Sequence, residues 1–225
     1  GEFVECLEGI KQTCEFLEYP VVSGNVSFYN GTNRKNINPT PVIGGVGLIK
    51  KLSKPINHNF KQENSHLVLI GKTFGHIEQS CFLKENYSII EGMPPEINLH
   101  NEKNNGETLL KLIQENLVLS SHDVSSGGLI TAISEMTFSS EIGAKILKPK
   151  KLANFTNYLF GEDQARYVTE ITSNNLSKAE KILKESNIYY EIIGFTQKNN
   201  LEVEDEFKIN VKDLFKINNQ WYNNY

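Results

Sequence analysis

Apolar residues recur every three or four positions at the start of the chain: Phe3, Val4, Leu7, Ile10, Cys14 and Leu17. That spacing forms one stripe of a helix, predicted from about Glu2 to Leu17. Pro20 disfavours helix at the residue ahead of it and ends the element. The period then changes to two. From about Tyr19 to Tyr29 the residues Val22, Gly24, Val26 and Phe28 alternate with Ser23, Asn25, Ser27 and Tyr29. In a strand, successive side chains point to opposite faces, so the polar four would form one row. A turn-rich loop stiffened by Pro39 and Pro41 follows, and "VIGGVGLIK" predicts a second, glycine-weakened strand.

Residues 51–65 are a polar connector and the expected domain boundary. Beyond them "HLVLIGKT" is a continuous apolar run of strand length, predicted as a central strand covered on both faces. Helices are predicted at about Ile77–Leu83 and Glu107–Asn116. "LVLSSHDVSSGGLITAISEMTF" predicts strand, Gly/Ser loop and helix. The rest predicts a strand at "GAKIL", a loop, a strand at "ARYVTEIT", a helix at "LSKAEKILKES" and a strand at "IYYEIIGFT". This order implies a mixed α/β sheet with helices packed on it.

Composition narrows the classes. With 39% hydrophobic and 22% charged residues, the 225-residue chain can bury a core. A net charge of −4 argues against a nucleic-acid binder. The one dense basic run, Lys148, Lys150 and Lys151, is expected to be a solvated loop. No apolar stretch approaches the ~20 residues of a membrane helix, and no signal peptide is visible. Three cysteines without C-x-x-C spacing fit a reducing cytosol, with Cys6 and Cys14 expected in the core. A chain that begins with Gly inside a helix is expected to be cut from something longer.

Three segments could carry chemistry. Asn25 offers a neutral carbonyl oxygen suited to Mg²⁺, and Gly24 leaves the backbone bare for a ligand. Ser27 would lie on the Asn25 face about 6.5–7 Å further along. A solvent-facing polar row is the ordinary outcome of the same pattern. In "SSHDVSSGGL", Gly127 and Gly128 precede a helix whose N-terminus could bind an anion. Capping by Ser125 or Ser126 with tight glycine packing is the simpler expectation. His122 and Asp123, adjacent in a strand, should point apart. In "FGEDQARYV", Glu162, Asp163, Gln164 and Arg166 could bind magnesium or a sugar phosphate, but surface ion pairing is expected.

Taken together, "PVVSGNVSFYN", "NPTPVIGGVGL", "SSHDVSSGGLITAISEM" and "LFGEDQARYV" resemble, in order and spacing, the C-terminal portion of the phosphoribosylformylglycinamidine synthase family. The opening helix resembles the one preceding the Ser-Gly-Asn strand there, so the resemblance covers nearly the whole chain. It places the chain in the aminoimidazole-ribonucleotide-synthetase-like superfamily. The implied fold is α/β (α+β). Residues 1–50 would end a second N-terminal-type, ATP-binding and barrel-forming domain, and 60–225 would form the second C-terminal-type α/β domain.

The resemblance implies an ATP-dependent ligase of purine biosynthesis that converts formylglycinamide ribonucleotide to its amidine. In it ATP phosphorylates the amide oxygen and glutamine-derived ammonia displaces phosphate. By the same resemblance Gly24 contacts ATP, Asn25 binds Mg²⁺ and Ser27 touches the ribonucleotide. The implied partners are the N-terminal half of the synthetase, a glutaminase subunit and a small accessory subunit, in the cytoplasm. No catalytic residue is expected here, because the family's catalytic histidines, ATP-anchoring lysine and most magnesium carboxylates lie in the first half. The chain is therefore expected to be inactive alone. Glu162–Gln164 match a substrate-binding Glu-Ser-Gln of that first half but face a pseudo-equivalent site. Two departures, Ser126 where the family has Asp and Gly31-Thr32-Asn33-Arg34 where it has Glu-Thr-Asn-Gly, keep open a non-catalytic nucleotide-binding or structural remnant. Another superfamily member, such as aminoimidazole ribonucleotide synthetase, is the alternative identity.

Overall fold

The computed structural model describes residues 1–29, 31–37, 40–49, 55–149 and 154–223. Their contacts divide the chain into two units, Gly1–Lys54 and Pro55–Tyr225. In the first unit, α1 (Glu2–Leu17) has the predicted bounds and closes on Glu18 in the left-handed conformation, whose N–H returns to the Cys14 and Glu15 carbonyls. Its apolar stripe is not covered. None of its residues is buried, and Cys6 and Cys14 are only half-buried rather than core residues.

Neither predicted strand of this unit forms among the described residues. Residues 19–29 and 42–49 are irregular and largely exposed. An alternating pattern becomes a strand only when a neighbouring strand takes its N–H and C=O groups, and among the described residues neither segment joins a ladder. Lys50 lies outside the described residues. The sheet structure that does form is the hairpin of β1 (Gly31–Thr32) and β2 (Lys35–Asn36). Asn33 and Arg34 both adopt positive φ (52° and 61°), the pair of conformations a two-residue hairpin turn requires.

The second unit is built on seven strands: β3 (His66–Ile70), β4 (Ser120–Asp123), β5 (Ile142–Ile146), β6 (Tyr167–Ile171), β7 (Tyr190–Lys198), β8 (Asn200–Val203) and β9 (Phe207–Asn210). Their order is β4-β6-β3-β7-β5-β8-β9. All pairs are antiparallel except β5 with β8, so the sheet is mixed, as expected. β3 is internal, and its alternate residues feed two cores. Leu67 and Leu69 join Ile133, Met136 and Leu159 from α4 (Gly128–Phe138) and α5 (Phe155–Phe160). Val68 and Ile70 join Leu112 and Leu183 from α3 (Leu99–Gln114) and α6 (Ser173–Glu185). α2 (Cys81–Tyr87) is short and starts four residues later than the helix predicted at Ile77–Leu83, because Ser80 is the residue that caps it, accepting from the Leu83 N–H. α7 (Val211–Asn223) follows β9, and its Phe215 ring lies 5.5 Å from that of Phe138 on α4.

The predicted elements of this unit are present, with ends that match within two residues for α4, β5, β6 and β7 and differ by three or more for the others. α3 begins eight residues earlier than the period suggested, because Asn98 caps it through Oδ1 on the Asn101 N–H at 3.0 Å. Further along α3, buried Asn105 donates to the Ala165 carbonyl at 2.8 Å, which anchors an otherwise polar stretch. α5, β8, β9 and α7 have no counterpart in the sequence reading. Among the described residues no helix is long and apolar enough to cross a membrane.

Candidate functional site

In the first unit, Gly24, Asn25 and Ser27 lie in the irregular exposed segment. A Cβ at Gly24 would meet no atom within 4 Å, so the backbone there is open to an approaching ligand. Without a strand pleat, Asn25 and Ser27 do not stand in the predicted row. Asn25 is the one oxygen ligand for a metal that this segment had suggested. Among the described residues no group of three or more His, Cys, Asp or Glu side chains is placed to hold a metal ion.

The second unit gathers its polar groups around the turn 161–166, between α5 and β6. Here the ion pair expected from sequence forms between Asp163 and Arg166, but in the interior rather than at the surface. Asp163 and Arg166 are buried, at 4% and 1% exposure. Asp163 accepts three consecutive backbone N–H groups: Phe74 and Gly75 on Oδ2 at 2.9 and 2.8 Å, and His76 on Oδ1 at 3.1 Å. The Arg166 guanidinium donates to the Asp163 and Gly161 carbonyls and to Thr73 Oγ1, and lies 3.9 Å from Asp163 Oδ2. Burial pushes the Arg166 pKa down, and the Asp163 charge opposes that shift.

Glu162 points the other way. Its Oε1 accepts the Gly127 N–H at 2.7 Å and the Cys81 N–H at 2.8 Å. It thus occupies the N-terminal end of α4. Neither Ser125 nor Ser126 caps that helix: its cap residue is Gly127, with φ 79° and no side-chain bond. The glycine pair also serves close packing, since a Cβ at Gly128 would run into the backbone at Leu159 and Gly161. Burial, then the Glu162 carboxylate, raises the pKa of the Cys81 thiol.

A cleft of about 310 Å³ opens beside this turn, lined by Phe74, His76, Glu96, Asn98, Asn101 and Gln164 among others. His76 lies against the Met93 carbonyl, 2.8 Å from its Nε2. Glu102, one turn into α3, is half-buried, and that burial raises its pKa against the lowering effect of the Ala165 N–H. Of the cleft residues the sequence singles out Asp163 and Gln164, but not Phe74, His76, Glu96, Asn98 or Asn101. The signal available was the recurrence Asn98, Asn101, Glu102, Asn105, a polar face at helical spacing. On the far side of the loop, His122 and Asp123 do not point apart. His122 Nδ1 is 3.4 Å from Asp123 Oδ1 and 2.7 Å from the Asp123 carbonyl oxygen, and its Nε2 is 3.1 Å from Glu135 on α4. Lys148, the described member of the basic run, pairs with Glu206; Lys150 and Lys151 lie outside the described residues.

The model of the family described as AIR synthase related protein, C-terminal domain, matches residues 62–206. Over all 225 residues the chain is 48% identical to the phosphoribosylformylglycinamidine synthase subunit PurL of Pelagibacter ubique (strain HTCC1062), spanning 31% of that relative's length. Among solved structures it resembles Thermotoga maritima PurL complexed with FGAR, with TM-score 0.57 and 16% identity over 71% of this chain and 29% of that one. The T. maritima PurL complexed with ATP gives TM-score 0.54 and 15% identity, over 71% and 27%. The structure of PurLQS from Thermotoga maritima gives 0.55 and 19%, over 71% and 27%. At these identities the structures show a shared fold.

Proposed function

The chain belongs to the AIR synthase related family, and from that premise we propose that it forms the C-terminal portion of a phosphoribosylformylglycinamidine synthase synthetase. The observation that carries this reading is the 48% identity that runs along the whole chain to a relative of that name. The chain spans 31% of that relative's length, so the activity belongs to a larger assembly. That assembly is an ATP-dependent carbon–nitrogen ligase of the cytoplasm. It takes formylglycinamide ribonucleotide and ammonia from a glutaminase partner, with a small accessory subunit alongside. Partners of this kind are supported by the solved PurLQS structure.

The first unit would contribute to the nucleotide side of the site. Open backbone at Gly24 fits an ATP contact. The exposed amide of Asn25 fits Mg²⁺, which takes few protein oxygens and fills its remaining positions with phosphate and water. Ser27 would orient the ribonucleotide through its hydroxyl. Bound ATP supplies the phosphoryl group that activates the amide oxygen. The domain division we adopt is 1–50 for the end of the N-terminal-type domain and 60–225 for the C-terminal-type domain.

The test is reassembly. The chain is assayed alone, and then mixed with the missing N-terminal portion of the Pelagibacter relative, using Mg-ATP, ammonia and formylglycinamide ribonucleotide. Turnover is expected only from the mixture. Turnover by the chain alone, or none from a mixture that forms a stable complex, would overturn the proposal.

A further inference from the structure

Two places in residues 55–225 converge backbone N–H groups on one point. At the first, the N–H groups of Phe74, Gly75 and His76 meet. At the second, the N–H groups of Gly127 and Cys81, from the starts of two helices, meet. Convergent amides of this sort are how proteins commonly hold phosphate. Here each is occupied by a carboxylate, and the two carboxylates come from adjacent residues, Asp163 and Glu162.

The turn that carries them is fixed on all sides. The Glu162 N–H donates to the His76 carbonyl at 2.9 Å and the Gly161 N–H to the Asn157 carbonyl at 2.8 Å. Gln164 Nε2 donates to the Glu162 carbonyl at 3.3 Å. Arg166, buried beneath, donates to the Asp163 and Gly161 carbonyls. A carboxylate held this way cannot swing aside without stripping several amides of their acceptor. A phosphate entering beside it would meet like charge at close range.

We infer that Glu162 and Asp163 are built-in anions that specify against phosphate at the Ser125–Gly128 loop and the Phe74–His76 turn. Phosphate groups of any ligand are thereby confined to other surfaces. The inference rests on the geometry of this turn and stands whether or not the ligase reading holds.

The probe is inorganic phosphate at fixed ionic strength with chloride as control, read by thermal unfolding and by ¹⁵N amide shifts of the full chain. The wild type is expected to show no saturable phosphate response at Gly127, Cys81 or residues 74–76. Glu162→Ala exposes two N–H groups and is expected to gain saturable stabilisation by millimolar phosphate, with shifts at Gly127 and Cys81. Glu162→Gln keeps an oxygen that can accept from both amides, and is expected to fold and stay unresponsive. A saturable wild-type response at these amides, or a folded Glu162→Ala variant that ignores phosphate, would overturn the inference. If Glu162→Ala fails to fold in either salt, Glu162→Ser, which also withdraws the carboxylate from both N–H groups, decides: new saturable phosphate shifts at Gly127 and Cys81 support the inference and their absence overturns it.

Discussion

The roles proposed for Asn25 and Ser27 can be tested apart from any effect on folding. Both are exposed, so their removal leaves no core cavity, and changes of that kind usually stay within about 0.5 kcal/mol. In the reassembled enzyme, Asn25→Ala is expected to raise the magnesium concentration needed for half-maximal rate, with the melting temperature nearly unchanged. Ser27→Ala should instead raise KM for the ribonucleotide more than for ATP. A lost hydrogen bond to a charged group is worth about 1.5–3 kcal/mol, roughly tenfold to a hundredfold in affinity. Steady-state kinetics with each substrate and the metal varied in turn separates the two. An unchanged magnesium dependence would return Asn25 to an ordinary surface residue.

The elements of the second unit show which parts of a fold can be read from local pattern. β3 announced itself because burial on both faces leaves a continuous apolar run, whereas β6 buries Thr169 and Glu170 among its apolar residues. β8 and β9 were missed, four residues each with charges interleaved, because their pairing rather than their composition makes them strands. Residues 19–29 failed in the opposite sense: the alternation is clear, but no described strand completes it. The turn 161–166 was visible as a polar cluster, yet its burial was not. Nothing in "GEDQAR" tells that its carboxylates will be claimed by amides 35 and 87 to 89 residues away.

α3 offers a test at the same scale. Burial raises the Glu102 pKa, so the folded protein binds its proton more tightly than the unfolded chain does. Stability from this group is therefore greatest below the unfolded carboxylate pKa and falls as pH rises through the folded value. Glu102→Gln, whose oxygen can still accept from the Ala165 N–H, should stabilise the protein at pH 7. The gain is expected to be below about 1 kcal/mol given partial solvent screening, and to vanish in acid. Denaturant melts at pH 7 and pH 4 measure it.

For the molecule as a whole, the described members of both hydrophobic cores all come from residue 56 onward. A chain of residues 55–225 alone should therefore unfold cooperatively, with a near-ultraviolet circular dichroism signature like that of the same residues in the full chain. A broad, non-cooperative melt would show that the first unit is needed for folding.

The place of β3 in the sheet also bears on how the protein is made. It is the first strand of its sheet to leave the ribosome, yet its neighbours are β6 and β7, whose paired residues lie about a hundred or more positions downstream. At roughly 5–20 residues per second, synthesis leaves "HLVLI" without a partner for about five seconds or longer. Such distant pairing slows folding, since the chain must close a long loop before any contact rewards it. A nascent chain stalled before residue 167 would present that strand bare, with both its edges free to pair with another copy.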